Sequence, residues 1–216
     1  YRDMPFLTAP MLSSKFSGSR KVARRQRAHG DGLEIDLDSP EAFDEVLWHL
    51  YWPEKYGKTS ITLWQPEDGK SKARDVMLRH FRKIVLLRRK ASVEAGGKPR
   101  YMSKNNANIA RLRLLKSMFP GCEIVVPLRR PAAHAASMLR QHRNFTKLMR
   151  RDEFTRRYMR DIGHLEFGPL HRPIAFVNFA PGDLRPESAD YWLHYWIAAF
   201  QEVRAQCQGC HIVTQD

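Results

Sequence analysis

The chain has 216 residues, 43% hydrophobic and 28% charged, the make-up of one soluble globular domain and too short for two comfortable ones. No run approaches the roughly eighteen apolar residues of a membrane span, and no signal-peptide pattern opens the chain. The net charge of +14, from 37 Lys and Arg against 23 Asp and Glu, calls for an anionic partner or substrate.

Nucleic acid is the less favoured partner. The basic residues are spread over Arg20 to Arg27, Arg82 to Lys90, Arg129 to Arg143 and Arg150 to Arg160, with no single aromatic-interleaved patch. The three cysteines, Cys122, Cys207 and Cys210, form a sparse, odd set. Cys207 and Cys210 have C-x-x-C spacing, but no second pair completes a zinc site, so metal or redox use is not expected. Reduced thiols in a cytoplasmic protein are the expectation.

In chain order, residues 1–38 read as a loop-rich, basic segment. Gly30 and Gly32 flank Asp31 in a tight turn, and Leu33, Ile35 and Leu37 alternate as in a short edge strand. Ser39-Pro40-Glu41 is the pattern of a capped helix start, with Phe43, Val46, Leu47 and Leu50 on its apolar face. Ile61 to Trp64 is a possible strand. Arg74 to Glu94 is a long helix with Met77, Phe81, Ile84 and Val85 inward, broken by Gly96-Gly97-Lys98-Pro99.

The central stretch runs over residues 100–140. Tyr101 and Met102 lead as a strand into the polar run Ser103-Lys104-Asn105-Asn106. Ile109, Leu112, Leu115 and Phe119 recur at helical spacing until Pro120-Gly121 stops them. Ile124-Val125-Val126 has the look of a buried parallel strand, with Arg129 and Arg130 at its carboxyl end and Pro131 opening the next helix. Ligands of open α/β sheets bind at such strand ends, against helix N-termini. Ser137, eight residues after Arg129, can share a side with that helix start. Beyond it lie a basic helix over residues 150–162, an apolar run from Ile174 to Phe179, an aromatic-rich helix from Glu187 to Ala205, and a last strand at Ile212-Val213-Thr214.

The central stretch resembles the core of the sulfotransferase family that uses 3'-phosphoadenosine-5'-phosphosulfate. The pattern is Lys104, a short polar loop, a helix ending in Phe119-Pro120, a strand, then Arg129-Arg130-Pro131 with Ser137 eight residues after Arg129. Arg130 departs from the acidic residue often found there. The resemblance implies a single three-layer α/β/α domain with a central, mostly parallel sheet of the P-loop-like kind. It implies that Arg129 and Ser137 grip the 3'-phosphate of the nucleotide co-substrate. It also implies a phosphate-cradling loop near the N-terminus, and neither that loop nor a G-x-x-x-x-G-K-[ST] motif occurs. The loop is therefore expected upstream of Tyr1, in a domain truncated at both ends, and residues 1–38 are assigned to the acceptor side.

Sulfuryl transfer needs a cation on the bridging oxygen of the leaving phosphate and a base for the acceptor proton. Lys104 is the candidate cation and also contacts the nucleotide. His29 is the first candidate base, with Asp31 and Glu34 as rivals. Asp31, Asn105 and Asn106 are candidates to position the acceptor, although the asparagines equally suit a helix cap. No metal is called for. The expected acceptor is a hydroxyl or amine on an unidentified molecule that can be anionic. The alternatives are a small-molecule kinase of related architecture and a non-catalytic basic domain that binds polyanions.

Overall fold

The computed structural model describes residues 25–26, 34–35, 44–94 and 98–215, with side chains described over 44–86 and 98–214. Strands β1 (Arg25–Gln26) and β2 (Glu34–Ile35) pair antiparallel. Then follow α1 (Asp44–Tyr51), α2 (Ser71–Glu94), α3 (Leu112–Met118), β3 (Val125–Arg129), α4 (Pro131–Arg151), α5 (Glu153–Asp161), α6 (Ala189–Gln206) and β4 (His211–Gln215). The beginning expected for the first helix, at Ser39-Pro40, lies outside the described residues.

The chain is mixed α/β and mostly helical. β3 and β4 form a two-stranded parallel sheet, in register from Val125 opposite His211 to Arg129 opposite Gln215. A parallel pair demands a long crossover, and here α4, α5 and α6 supply it.

A broader sheet was expected, and several apolar runs do something else among the described residues. Ile61 only bridges Tyr56 and Ile174. The run after Ile174 cannot extend, because Phe176 N–H turns back onto the Ile174 carbonyl and Phe179 N–H onto that of Phe176. Tyr101 and Met102 join no ladder. The Tyr101 ring instead stacks on Phe81 at 4.0 Å and its hydroxyl donates to Asp44 at 2.8 Å, so side chains anchor the segment.

Three apolar clusters make the core of the described residues, and α6 takes part in all of them. Ala198 and Ala199 pack with Trp48, Trp52, Trp64, Met77 and Leu114; Tyr191 and Trp192 pack with Phe145, Met149 and Phe167; Val203 packs with Leu112 and Val126 beneath the sheet. Burying aromatic residues at this density is the main stabilising contribution available to a chain so rich in charge. The basic helix expected over residues 150–162 is two elements. α4 runs on to Arg151, and Asp152 leaves the helical conformation to accept the Phe154 N–H and start α5.

Cys207 and Cys210 are joined as a disulfide across the turn between α6 and β4, where Gly209 takes a φ of 74°. This corrects the expectation of reduced thiols. No helix among the described residues is long and apolar enough to cross a membrane.

Candidate functional site

β3 brings Arg129 to the carboxyl end of the sheet, beside the end of β4. The chain then turns at Arg130, which has φ −52° and ψ 128° and provides no side-chain cap, and enters α4 at Pro131. Proline fits this first position because its missing N–H would have no partner there. The amides of Ala132 and Ala133 precede the first intrahelical bond, which His134 N–H makes to the Arg130 carbonyl. Arg129, Arg130, Ala132 and Ala133 are all exposed. Neither guanidinium has an ion-pair partner among the described residues.

Two further groups line this helix start. The half-buried His134 accepts the indole N–H of Trp196 at its Nδ1, 3.1 Å away. That contact fixes the neutral ring with its proton on Nε2. Burial, and then the Arg129 charge, hold its pKa below the ordinary value. Ser137 is half-buried and stands about 9 Å along the helix from Pro131, nearly in line with Arg130. The structure thus brings Arg129 and Ser137 onto one strand–turn–helix unit whose two guanidiniums pair with no acid among the described residues.

The other sequence candidates fall elsewhere. Lys104 is exposed on the loop after Tyr101, and its charge acts on His164 and Glu166. Asn106 is exposed at the start of a short 3-10 turn, Asn106–Ala110. Asn105 is committed to structure: its Oδ1 accepts the Ala107 N–H and its Nδ2 donates to Glu45 at 2.6 Å. It therefore serves the helix-cap role, which leaves its amide little freedom to orient an acceptor. His29 and Asp31 lie outside the described residues.

Asn105 belongs to a buried network that sequence reading missed. Glu45 accepts from Tyr56 Oη at 2.5 Å and from the fully buried Arg111 at 2.5 Å, and the Arg111 guanidinium lies 4.2 Å from the Trp48 ring centre and 5.3 Å from that of Trp64. Burial would lower the Arg111 pKa, but the Glu45 carboxylate outweighs it and keeps the guanidinium charged. With the partners 66 positions apart, no local pattern announces the pair.

A groove of about 500 Å³ lies along the opposite stretch of α4, lined by His142, Thr146, Arg150, Glu153, Arg156 and Glu187 among others. His142 is buried at its floor; Nδ1 accepts the Gly168 N–H at 3.2 Å, and Nε2 lies 3.8 Å from Glu187. Burial keeps His142 neutral against the pull of Glu187. His171 beside it bonds Tyr191 Oη at 2.8 Å and is pushed down to about 4 by burial and by His142. The recurrence of Arg140, Arg143, Lys147 and Arg151 every three or four residues is the sequence signal for this region. Among the described residues no group of three or more His, Cys, Asp or Glu is arranged to hold a metal ion.

No protein-family model matches the chain, and neither a curated protein nor a solved structure matches it.

Proposed function

We propose that this chain is a sulfotransferase domain that moves a sulfuryl group from 3'-phosphoadenosine-5'-phosphosulfate to a hydroxyl or amine. One observation carries the reading: Arg129 and Arg130 stand exposed, with no ion-pair partner among the described residues, at the end of a parallel strand, directly before the uncapped N-terminus of α4, with Ser137 on the same helix. A phosphate dianion is the natural ligand for two guanidiniums and free helix amides. The order Lys104, Phe119-Pro120, Arg129-Arg130-Pro131, Ser137 supports assigning that phosphate to the 3' position. In the same reading, β3 and β4 are part of the central parallel sheet of a P-loop-like α/β/α domain.

The roles follow from the chemistry. Arg129 and Ser137 hold the 3'-phosphate, and the Nε2–H of neutral His134 is a further donor at the same helix start. The sequence pattern, rather than proximity to Arg129, assigns Lys104 as the donor to the bridging oxygen as the S–O bond breaks and adenosine 3',5'-bisphosphate leaves with the electron pair. The acceptor oxygen or nitrogen forms the new bond to sulfur, and its proton passes to a base, for which His29 is the candidate. Asn106 and Asp31 are the candidate acceptor contacts.

A thermal-shift comparison of adenosine 3',5'-bisphosphate with adenosine 5'-monophosphate tests the assignment. The bisphosphate is expected to raise the melting temperature, and the monophosphate to do so much less, because it lacks the 3' group. Equal shifts from the two nucleotides would overturn the 3'-phosphate assignment.

A further inference from the structure

We propose that the outer face of α4 is a docking surface for an acidic polysaccharide. Arg140, Arg143, Lys147, Arg150 and Arg151 are all exposed. At the helical repeat they fall within an arc of about 100° and extend about 16 Å along the axis. No Asp or Glu occurs between Pro131 and Arg151. Arg140, Lys147, Arg150 and Arg151 have no ion-pair partner among the described residues, while Arg143 donates to the Glu187 backbone carbonyl. Like charges at three- and four-residue spacing repel. Since no acid among the described residues forms an ion pair with these side chains, although Glu187 lies beside them, a ligand able to neutralise the stripe gains what the fold forgoes.

The shape and polarity beside the stripe select the polymer. The groove next to it presents the Glu187 carboxylate and Arg150, with the Glu153 carboxylate paired to Arg156 and Arg157 and the Thr146 hydroxyl donating to the His142 carbonyl. The Glu187 carboxylate repels a phosphodiester backbone passing through the groove, whereas a sugar hydroxyl needs an acceptor of this kind. No aromatic residue of α4 is exposed: Phe145 is fully buried and the exposed Phe154 stands on α5, past the end of the stripe, so the stripe itself offers no platform on which bases could stack. A chain with charges on some sugar positions and hydroxyls between them matches both halves of the surface.

The test is fluorescence polarisation with a labelled heparin decasaccharide, and with an oligothymidylate of equal formal charge, in about 150 mM salt. A stripe pair, Lys147→Glu with Arg151→Glu, is compared with a control pair of equal charge change, Arg79→Glu with Arg204→Glu, on α2 and α6. The stripe pair is expected to weaken heparin binding at least about tenfold more than the control pair, and the oligothymidylate to bind at least about tenfold more weakly than heparin. Equal losses in the two pairs, no heparin binding by the unmodified chain, or an oligothymidylate affinity within that margin of heparin's or above it would overturn the proposal. Binding of adenosine 3',5'-bisphosphate is expected to be unchanged in the stripe pair, so this surface and the Arg129 site succeed or fail separately.

Discussion

Glu45 and Arg111 show how a single residue can govern several elements. Glu45 on α1 collects Tyr56, Asn105 and Arg111, and Arg111 holds the indoles of Trp48 and Trp64 by their faces. Removing one member of such a pair leaves an unpaired charge or donor set inside the core. Arg111→Ala is therefore expected to cost about 3–5 kcal/mol in chemical denaturation. The joint replacement Glu45→Leu with Arg111→Met removes both charges and should recover much of that loss. If Arg111→Ala unfolds at the same denaturant concentration as the unmodified chain, the network is not a determinant of stability.

Among the elements, α4 is the one on which most else depends. Its N-terminus forms the candidate phosphate site, its outer face carries the basic stripe, and its inner face packs on α6 and on the 3-10 turn Gly168–Leu170. That turn approaches so closely that a Cβ on Gly168 would sit 3.1 Å from the backbone carbon of Phe145, and Gly168 has a φ of 74°. Gly168→Ala therefore meets both a steric and a conformational penalty and is expected to lose about 1–3 kcal/mol. Because Gly168 N–H also holds His142, the same substitution should shift the imidazole resonances of His142. An unchanged spectrum and melting temperature would contradict the close docking.

The helical elements were legible in the sequence because their cues are local. Pro131 after a short apolar run marked the start of α4, apolar spacing marked α2, and Pro120-Gly121 marked the end of α3. The sheet was less legible. Ile61 and Ile174 carry the composition of strands, yet whether such a segment gains a ladder depends on partners far along the chain, and here turns at Phe176 and Phe179 close it off. For the candidate site, the placement of Arg129 and Ser137 on one strand–turn–helix unit could be read because a short stretch holds both. The cap role of Asn105 could also be read, but its bond to Glu45 could not, because that partner is 60 residues away.

For the whole molecule, the histidines set a pH profile with two opposing arms. His171 is buried and held down to about 4, so between about 4 and 6.5 the unfolded chain binds the extra proton and stability falls as the solution is acidified. His142, also held down by burial, acts in the same direction. His164 is the reverse case. Burial would lower its pKa, but Glu166, at 3.0 Å, outweighs burial and raises it. Its contribution is complete below the unfolded value and is lost as pH rises through the folded one. Stability is thus expected to be greatest near pH 6.5. Replacing His171 with Phe should flatten the acid arm, and replacing His164 with Gln the alkaline arm. A profile that is flat from pH 4 to 8 in the unmodified chain would refute this assignment.

Calorimetric titration with adenosine 3',5'-bisphosphate tests most directly whether the end of β3 and the start of α4 hold the nucleotide. The unmodified chain is expected to bind with a dissociation constant in the micromolar range, and the double variant Arg129→Ala, Ser137→Ala to lose at least about tenfold in affinity, since each lost charge-assisted hydrogen bond contributes of order 1.5–3 kcal/mol. His134→Ala should give a smaller loss. No heat of binding from the unmodified chain, or equal affinity in the double variant, would contradict the claim that this helix start holds the nucleotide's 3'-phosphate.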